Sequence, residues 1–457
     1  MSSTLLRTTM STQAPEPLER RRALRIRGGT PLRGEVTIGG AKNAALPLLA
    51  ATLLTSEPCV LNNVPTLSDI RTMTGLLAAL GAEVEYEPSR HRVTVQAASI
   101  RTSDAPQELV AKMRASFLVA GPLLGRTGRM SASTPGGCQL GVRPVDVDVR
   151  GFRQMGAKID ADEHFIAGET DGQGLRGASI YMDYPSHTGT ENLLMSATLA
   201  NGRTTIVNAS CEPEIVALGN MLNRMGARIT GLGSPTITVD GVDRLHGVSE
   251  TILPDRLEAG TYAIAAAVTG GEVQLNNINE PDMLPVRAKL EEAGAEIWAR
   301  PGSMLVRGGA PLKAVEIQTM PFPGFPTDLQ AGFAVLMTQA TGISKLKERV
   351  FEDRLKYTDE LIALGARIDV EKLGPNRYGT EAVITGPTPL VGATVRCLDI
   401  RAGAGMVLAG LVASGETEVR DIYHIDRGYE QMVPKLKAIG ADIDEVTLDE
   451  SSLSRGT

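Results

Sequence analysis

The sequence predicts an α/β protein of two similar domains, each made of three repeated units with helices inside and sheets outside. Three observations predict it: a six-fold internal repeat, a glycine that switches helix to strand in every copy, and helical segments more apolar than the strands. The copies are Leu76-Leu-Ala-Ala-Leu-Gly-Ala-Glu-Val84, Gly151-Phe-Arg-Gln-Met-Gly-Ala-Lys-Ile159, Met221-Leu-Asn-Arg-Met-Gly-Ala-Arg-Ile229, Lys289-Leu-Glu-Glu-Ala-Gly-Ala-Glu-Ile297, Glu360-Leu-Ile-Ala-Leu-Gly-Ala-Arg-Ile368 and Lys435-Leu-Lys-Ala-Ile-Gly-Ala-Asp-Ile443.

Their glycines, Gly81, Gly156, Gly226, Gly294, Gly365 and Gly440, recur about every seventy residues, a unit long enough for several elements. In each copy apolar residues at helical spacing end at the glycine, the residue that most readily takes the left-handed position after a helix. A strand follows at once. Upstream, an apolar helix leads through an alternating strand to an Asn- or Asp-bearing turn, as in Ala197 to Asn208, Ala266 to Asn276 and Gly410 to Asp421. Each unit therefore reads roughly βαβαββ. Burying the more apolar helices releases more free energy, at about 25 cal/mol per Å2, so helices belong inside and sheets outside. Three units close around a shared helical centre, and six make two domains with a cleft between them.

The 457 residues exceed one ordinary core, and 42% hydrophobic with 22% charged residues fit a soluble globular protein. A net charge of −7 and the single Trp298 weigh against nucleic acid as a partner. A small anion needs only a local cluster of Lys and Arg. Cys59, Cys138, Cys211 and Cys397 are far apart, which suggests a reducing compartment. His91, His164, His187, His246 and His424 are scattered without ligand spacing, so they read as surface or packing residues and no metal is expected. Gly172-Gln-Gly-Leu-Arg-Gly177 leads into a strand, not a helix, so the dinucleotide fingerprint fails its context, and no cofactor is expected. No run of about 18 apolar residues and no secretory apolar segment occur, so neither membrane insertion nor export is expected, and the cytoplasm is the expected location. Residues 1–23 lack periodicity and read as a mobile tail; 448–457 read as a C-terminal tail.

Four motifs carry chemistry. Gly39-Gly-Ala-Lys-Asn-Ala-Ala45 joins a strand to an apolar helix, and a glycine-preceded helix start with Lys42 suits a phosphate, though alone it is also an ordinary turn. Lys112-Met-Arg-Ala-Ser116 is followed by Pro135-Gly-Gly-Cys-Gln-Leu-Gly-Val-Arg-Pro144, a loop able to move as a lid. Its Cys138 lies in the positive field of Arg143; one isolated Cys is more often inert. In Pro321-Phe-Pro-Gly-Phe-Pro-Thr-Asp-Leu-Gln330, Thr327 and Asp328 read as an N-cap pair. Phe351-Glu-Asp-Arg354, Leu398-Asp-Ile-Arg401 and Tyr423-His-Ile-Asp-Arg-Gly-Tyr429 place Arg beside a carboxylate, the pattern of weak structural ion pairs.

From residue 24 to about 447, the repeat and these motifs together resemble the UDP-N-acetylglucosamine 1-carboxyvinyltransferases of the enolpyruvyl transferase family. The resemblance implies two inside-out α/β barrels, with residues 24–41 plus 254–447 forming the first domain and 42–253 the second, which carries the Cys138 lid loop. It implies transfer of an enolpyruvyl group from phosphoenolpyruvate to the 3′-hydroxyl of UDP-N-acetylglucosamine, a step of peptidoglycan synthesis. Cys138 then resembles the catalytic acid alkylated by fosfomycin, and Asp328 the base for the sugar hydroxyl. Lys42 resembles a phosphoenolpyruvate-binding lysine that helps protonation. Arg114, Arg143, Arg354, Arg401 and Arg427 resemble anion-binding arginines, and Asn43, Glu212, Thr327 and Asp399 other substrate contacts. The Lys-Asn and Pro-Gly-Gly-Cys motifs argue against the shikimate enzyme of the same fold. One departure stands in Asp183-Tyr-Pro-Ser-His-Thr-Gly-Thr190: His187 and Thr188 occupy a turn that in the family contacts the uridine diphosphate. A paralogue using another nucleotide sugar, or a non-catalytic sensor, is the alternative.

Overall fold

The computed structural model describes residues 21–134, 145–309, 311–372 and 379–448. All six repeat glycines have positive φ, between 93° and 114°. The following alanine N–H closes each helix end on the carbonyl five residues back: Ala82 to Leu77, Ala157 to Phe152, Ala227 to Leu222, Ala295 to Leu290, Ala366 to Leu361 and Ala441 to Leu436, at 2.9–3.1 Å. This is the Schellman arrangement, which satisfies carbonyls that a helix end leaves unpaired. The alanines are buried, which explains the small residue at that place.

The unit is βαβαββ. One copy runs through strand Glu316–Gln318, helix Gln330–Gln339, strand Gly342–Glu348, helix Thr358–Ala363 and strands Arg367–Lys372 and Thr380–Gly386. Its first two strands pair in parallel and the remaining pairings are antiparallel. Five four-stranded sheets share this pattern; in the three-stranded sixth the parallel strand is reduced to one bridge, Asp104 to Ser131. The expected turns are present as Asn63, Asn208, Asn277 and Asp421, all at positive φ. The three Asn side chains donate to the carbonyls of Ile252, Met182 and Ile38, the residues that follow the parallel strands.

Two separate apolar cores form. One draws on Leu24 to Ile38 and Leu257 to Ile443, the other on Ala41 to Ile252. Each is centred on helices buried on nearly every side: Arg256–Val268, Gln330–Gln339 and Ile400–Val412 in one, Lys42–Ala51, Ala120–Thr127 and His187–Ala197 in the other. Only this first helix of each unit is internal. The glycine-terminated second helix is amphipathic and keeps one face in water, as the exposed Arg71, Ala78 and Ala79 show in Ser68–Leu80. The expectation that helices as a group lie inside is therefore corrected to one per unit.

The chain passes between the cores twice, side by side. Ala41 N–H donates to Leu253 O at 2.8 Å and Asp255 N–H to Gly39 O at 2.9 Å. Gly40 is required there, since a Cβ would sit 1.8 Å from Asn63 O. Two boundaries move. Arg22 and Ala23 belong to strand Arg22–Arg27 and not to a tail: Ala23 is buried and Arg22 pairs with Asp426 and Glu445. Leu448 is buried too, and its N–H donates to Arg21 O. Among the described residues no helix is long and apolar enough to cross a membrane.

Candidate active site

The six central helices, or the short turns that lead into them, all begin at one place. Lys42 and His187 are the first residues of their helices, Arg256 opens Arg256–Val268, and Arg401 is second in Ile400–Val412. Arg114 opens the turn Arg114–Val119 ahead of Ala120–Thr127, and Asp328 lies in the turn Thr327–Leu329 ahead of Gln330–Gln339. All six residues line a cleft of about 700 Å3 between the cores. Helix starts carry a partial positive charge, and although Ser186, Asp255 and Asp399 cap three of them, their convergence together with Lys42, Arg114, Arg256 and Arg401 favours an anion.

Two carboxylates organise the cations. Asp328 Oδ1 accepts from Arg354 at 2.9 Å and its Oδ2 from Arg401 Nε at 3.1 Å. Both arginines are about 95% buried, while the Asp328 side chain keeps 23% exposure. Burial alone would push the Asp328 carboxyl up; Arg401, Arg354 and Lys42 reverse this and hold it well below the usual carboxylate range. Asp69, in the first turn of helix Ser68–Leu80, accepts from Arg427 Nε at 2.9 Å and lies 3.4 Å from Lys42 Nζ. Burial lowers the Lys42 ammonium pKa, helped by Arg401 and Arg427 and opposed by Asp69.

Other side chains hold this arrangement. Thr327 does not cap a helix, as the sequence suggested: its hydroxyl donates to Glu348 Oε2 at 2.8 Å, and helix Gln330–Gln339 has no side-chain cap. The fully buried Glu348 also accepts from Thr319 and from the Val350 and Phe351 N–H groups, setting the turn that delivers Arg354. Asp399 does cap a helix, accepting from the Arg401 and Ala402 N–H groups at 2.7 and 3.0 Å. At the opposite wall Glu212 accepts from Phe322 N–H, and Glu214 binds Arg256 through both carboxylate oxygens. His187 Nε2 is 3.2 Å from the buried Glu191; burial lowers its pKa, but Glu191, Glu212 and Glu214 raise it to about 10.

Of the residues expected from sequence, Lys42, Asn43, Arg114, Glu212, Thr327, Asp328, Arg354, Asp399, Arg401 and Arg427 all line the cleft. Cys138 and Arg143 lie outside the described residues. The expected local ion pairs are not those that form, since Arg354 and Arg401 both turn to Asp328, and Asp426 pairs with Arg22. His187, read from sequence as a surface or packing residue, lines the cleft. Asp69, Glu348 and Arg256 were missed. An acid in a first helical turn reads as a complement to the helix dipole, so Asp69 carried no distinguishing signal. Among the described residues no group of three or more His, Cys, Asp or Glu side chains could hold a metal.

Residues 26–436 match the family model of EPSP synthase (3-phosphoshikimate 1-carboxyvinyltransferase). The chain is 49% identical over 426 residues to the UDP-N-acetylglucosamine 1-carboxyvinyltransferase of Sorangium cellulosum, covering 93% of this chain and 98% of that protein. It is 47% identical over 424 residues to the protein of the same name in Granulibacter bethesdensis, with 93% and 99% covered. Among solved structures, the enolpyruvyl transferase NikO from Streptomyces tendae superposes with a TM-score of 0.84 at 24% identity, over 94% of this chain and 99% of that one. EPSP synthase from Acinetobacter baumannii superposes at 0.72 and 19% identity, over 93% and 100%. These two likenesses bear on fold alone.

Proposed function

Because the chain belongs to the enolpyruvyl transferase family, we propose that the cleft transfers the enolpyruvyl group of phosphoenolpyruvate to the 3′-hydroxyl of UDP-N-acetylglucosamine, releasing phosphate. It is an enolpyruvyl transferase, as its relatives are. The observation that carries the site reading is the gathering of Lys42, Arg354, Arg401 and Arg427 around two carboxylates at the helix starts.

In this reading the cations hold the carboxylate and phosphate of phosphoenolpyruvate through charge-assisted bonds, strongest in a water-poor cleft. Asp328 takes the proton of the sugar hydroxyl as its oxygen bonds to C2 of phosphoenolpyruvate. Cys138 or Lys42 delivers a proton to C3, and a tetrahedral phosphate adduct results. Loss of a C3 proton and expulsion of phosphate then restore the double bond in the enolpyruvyl ether. A buried lysine with a lowered pKa is suited to the donor step. The Asp328–Arg354–Arg401 arrangement sets a condition on the base: while both arginines bind it, its basicity is low. An anion that draws the arginines toward itself restores that basicity, so proton abstraction follows binding.

Arg143 and Arg114 are assigned to the same anion, and Asn43, Glu212, Thr327 and Asp399 to the sugar nucleotide and the adduct. The two cores support a division into a domain of residues 24–41 plus 254–447 and another of 42–253. The cytoplasm is the proposed location. The test is phosphate release from phosphoenolpyruvate with and without UDP-N-acetylglucosamine. Release that requires this acceptor supports the reading; release only with another nucleotide sugar assigns a different acceptor, and none with any sugar nucleotide refutes catalysis.

A further inference from the structure

We propose that Asp69 is a positioning residue of this reaction, pinning the Lys42 ammonium and the Arg427 guanidinium into one clamp for the phosphoenolpyruvate anion. The proposal deepens the site reading above and rests on it. Asp69 is 4% exposed, and each of its oxygens serves one cation: Oδ1 takes the Arg427 Nε–H at 2.9 Å and Oδ2 faces Lys42 Nζ at 3.4 Å. Both cations can therefore be held together.

The two cations come from different bodies. Lys42 and Asp69 belong to helices packed on the core that spans Ala41 to Ile252; Arg427 ends the short turn Ile422–Arg427, whose Ile422 and Ile425 belong to the other core. Asp69 sits on a 13-residue helix, a firmer mount than a six-residue turn. A nearby backbone contact joins the same two parts, Thr66 N–H donating to Glu430 Oε1 at 2.8 Å. Asp69 thus ties the Arg427 guanidinium, carried on the other body, to its own helix. It also offsets the repulsion between the two cations, since Arg427 lowers and Asp69 raises the Lys42 pKa. A carboxylate retained for stability alone would serve as well between any two cations; this one joins the pair assigned to the transferred anion.

Steady-state kinetics on the full chain tests this, with Asp69→Asn and Asp69→Glu compared with the parent and with Lys42→Ala and Arg427→Ala. Hydrogen bonds to charged groups contribute about 1.5–3 kcal/mol, so Asp69→Asn is expected to raise KM for phosphoenolpyruvate about ten- to hundredfold. KM for UDP-N-acetylglucosamine should stay within about twofold, and kcat should fall less than kcat/KM. The basic limb of kcat/KM should move to lower pH, and Asp69→Glu should recover part of both effects. An unchanged phosphoenolpyruvate KM, or equal losses for both substrates with an unmoved basic limb, overturns the proposal. If Asp69→Asn does not fold, the same selective change and pH shift in Asp69→Glu decide it. If Lys42→Ala and Arg427→Ala leave the phosphoenolpyruvate KM unchanged, the site reading itself fails.

Discussion

Asp328→Asn keeps the side-chain shape but removes the charge shared by Arg354 and Arg401. Breaking a buried ion pair by removing one partner costs about 3–5 kcal/mol. Asp328 is 23% exposed to the cleft, so water screens part of this, and a loss of about 1–3 kcal/mol in unfolding free energy is expected. The carboxyl is held below its unfolded value, so its stabilising effect is present above about pH 4 and is lost as the pH falls further. As base, its removal should lower kcat by about 10² to 10⁴, equivalent to about 3–5 kcal/mol of barrier. In the parent the acid limb of kcat should lie at higher pH than that of kcat/KM, because bound substrate engages the arginines that hold Asp328 down in the free enzyme. Urea unfolding at pH 7 and 3.5, with pH profiles of phosphate release, measures both effects. A variant kcat within tenfold of the parent refutes the assignment as base, and acid limbs at the same pH refute the coupling to Arg354 and Arg401.

Paired glycine replacements separate backbone strain from packing. A Cβ at Gly440 meets nothing within 4 Å but would occupy φ +97°, so Gly440→Ala should cost about 1–2 kcal/mol; Gly75→Ala, in an exposed helical position with equally open space, should stabilise by about 0.5–1 kcal/mol, both by denaturant unfolding. Burial lifts the Asp148 carboxyl to about 6 against the opposing effects of Asn192 and Arg114. A raised acid is fully compatible with the fold below about pH 4 and costs stability as pH rises through 6, so Asp148→Asn should be about 1–3 kcal/mol more stable than the parent at pH 8 and equal to it near pH 3.5. His187, raised to about 10, should stay protonated from pH 6 to 8.5 in NMR titration; the stability from its pairing is full below about 6.5 and lost as pH rises through 10.

The scaffold was legible because its rules are local and repeated. Gly-Ala at a helix end reports a backbone conformation that only a few residues adopt, and all six copies adopt it. The split of each unit into an internal and an amphipathic helix was harder to see, since both place apolar residues at helical spacing and differ in how polar the remaining positions are, as Leu284–Glu292 differs from Ile400–Val412. At the site, Lys42, Asp328, Arg354, Arg401 and Arg427 were found through motifs, but which of them pair, and the Asp69 that joins two of them, were not. Asp69 is 358 positions from Arg427, and Glu348 supports Thr327 from a neighbouring strand; such pairings exist only after folding. Sequence proximity misled at Asp426, which looked like the counterion of Arg427 and serves Arg22.

The strand Arg22–Arg27 lies between Glu416–Arg420 and Asp442–Thr447, joining almost the first described residue to almost the last. During synthesis the body built on Ala41 to Ile252 has all its pieces once Ile252 has left the ribosome, whereas the other must wait for the final strand. At about 5–20 residues per second that gap is roughly 10–40 s, and until Glu416–Arg420 emerges Arg22–Arg27 has neither neighbour. The charged outward residues of that strand, Arg22, Arg25 and Arg27, discourage association with strangers through this interval. A nascent chain stalled before Glu416 should therefore protect 41–134 and 145–252 from protease while 22–27 stays cleavable.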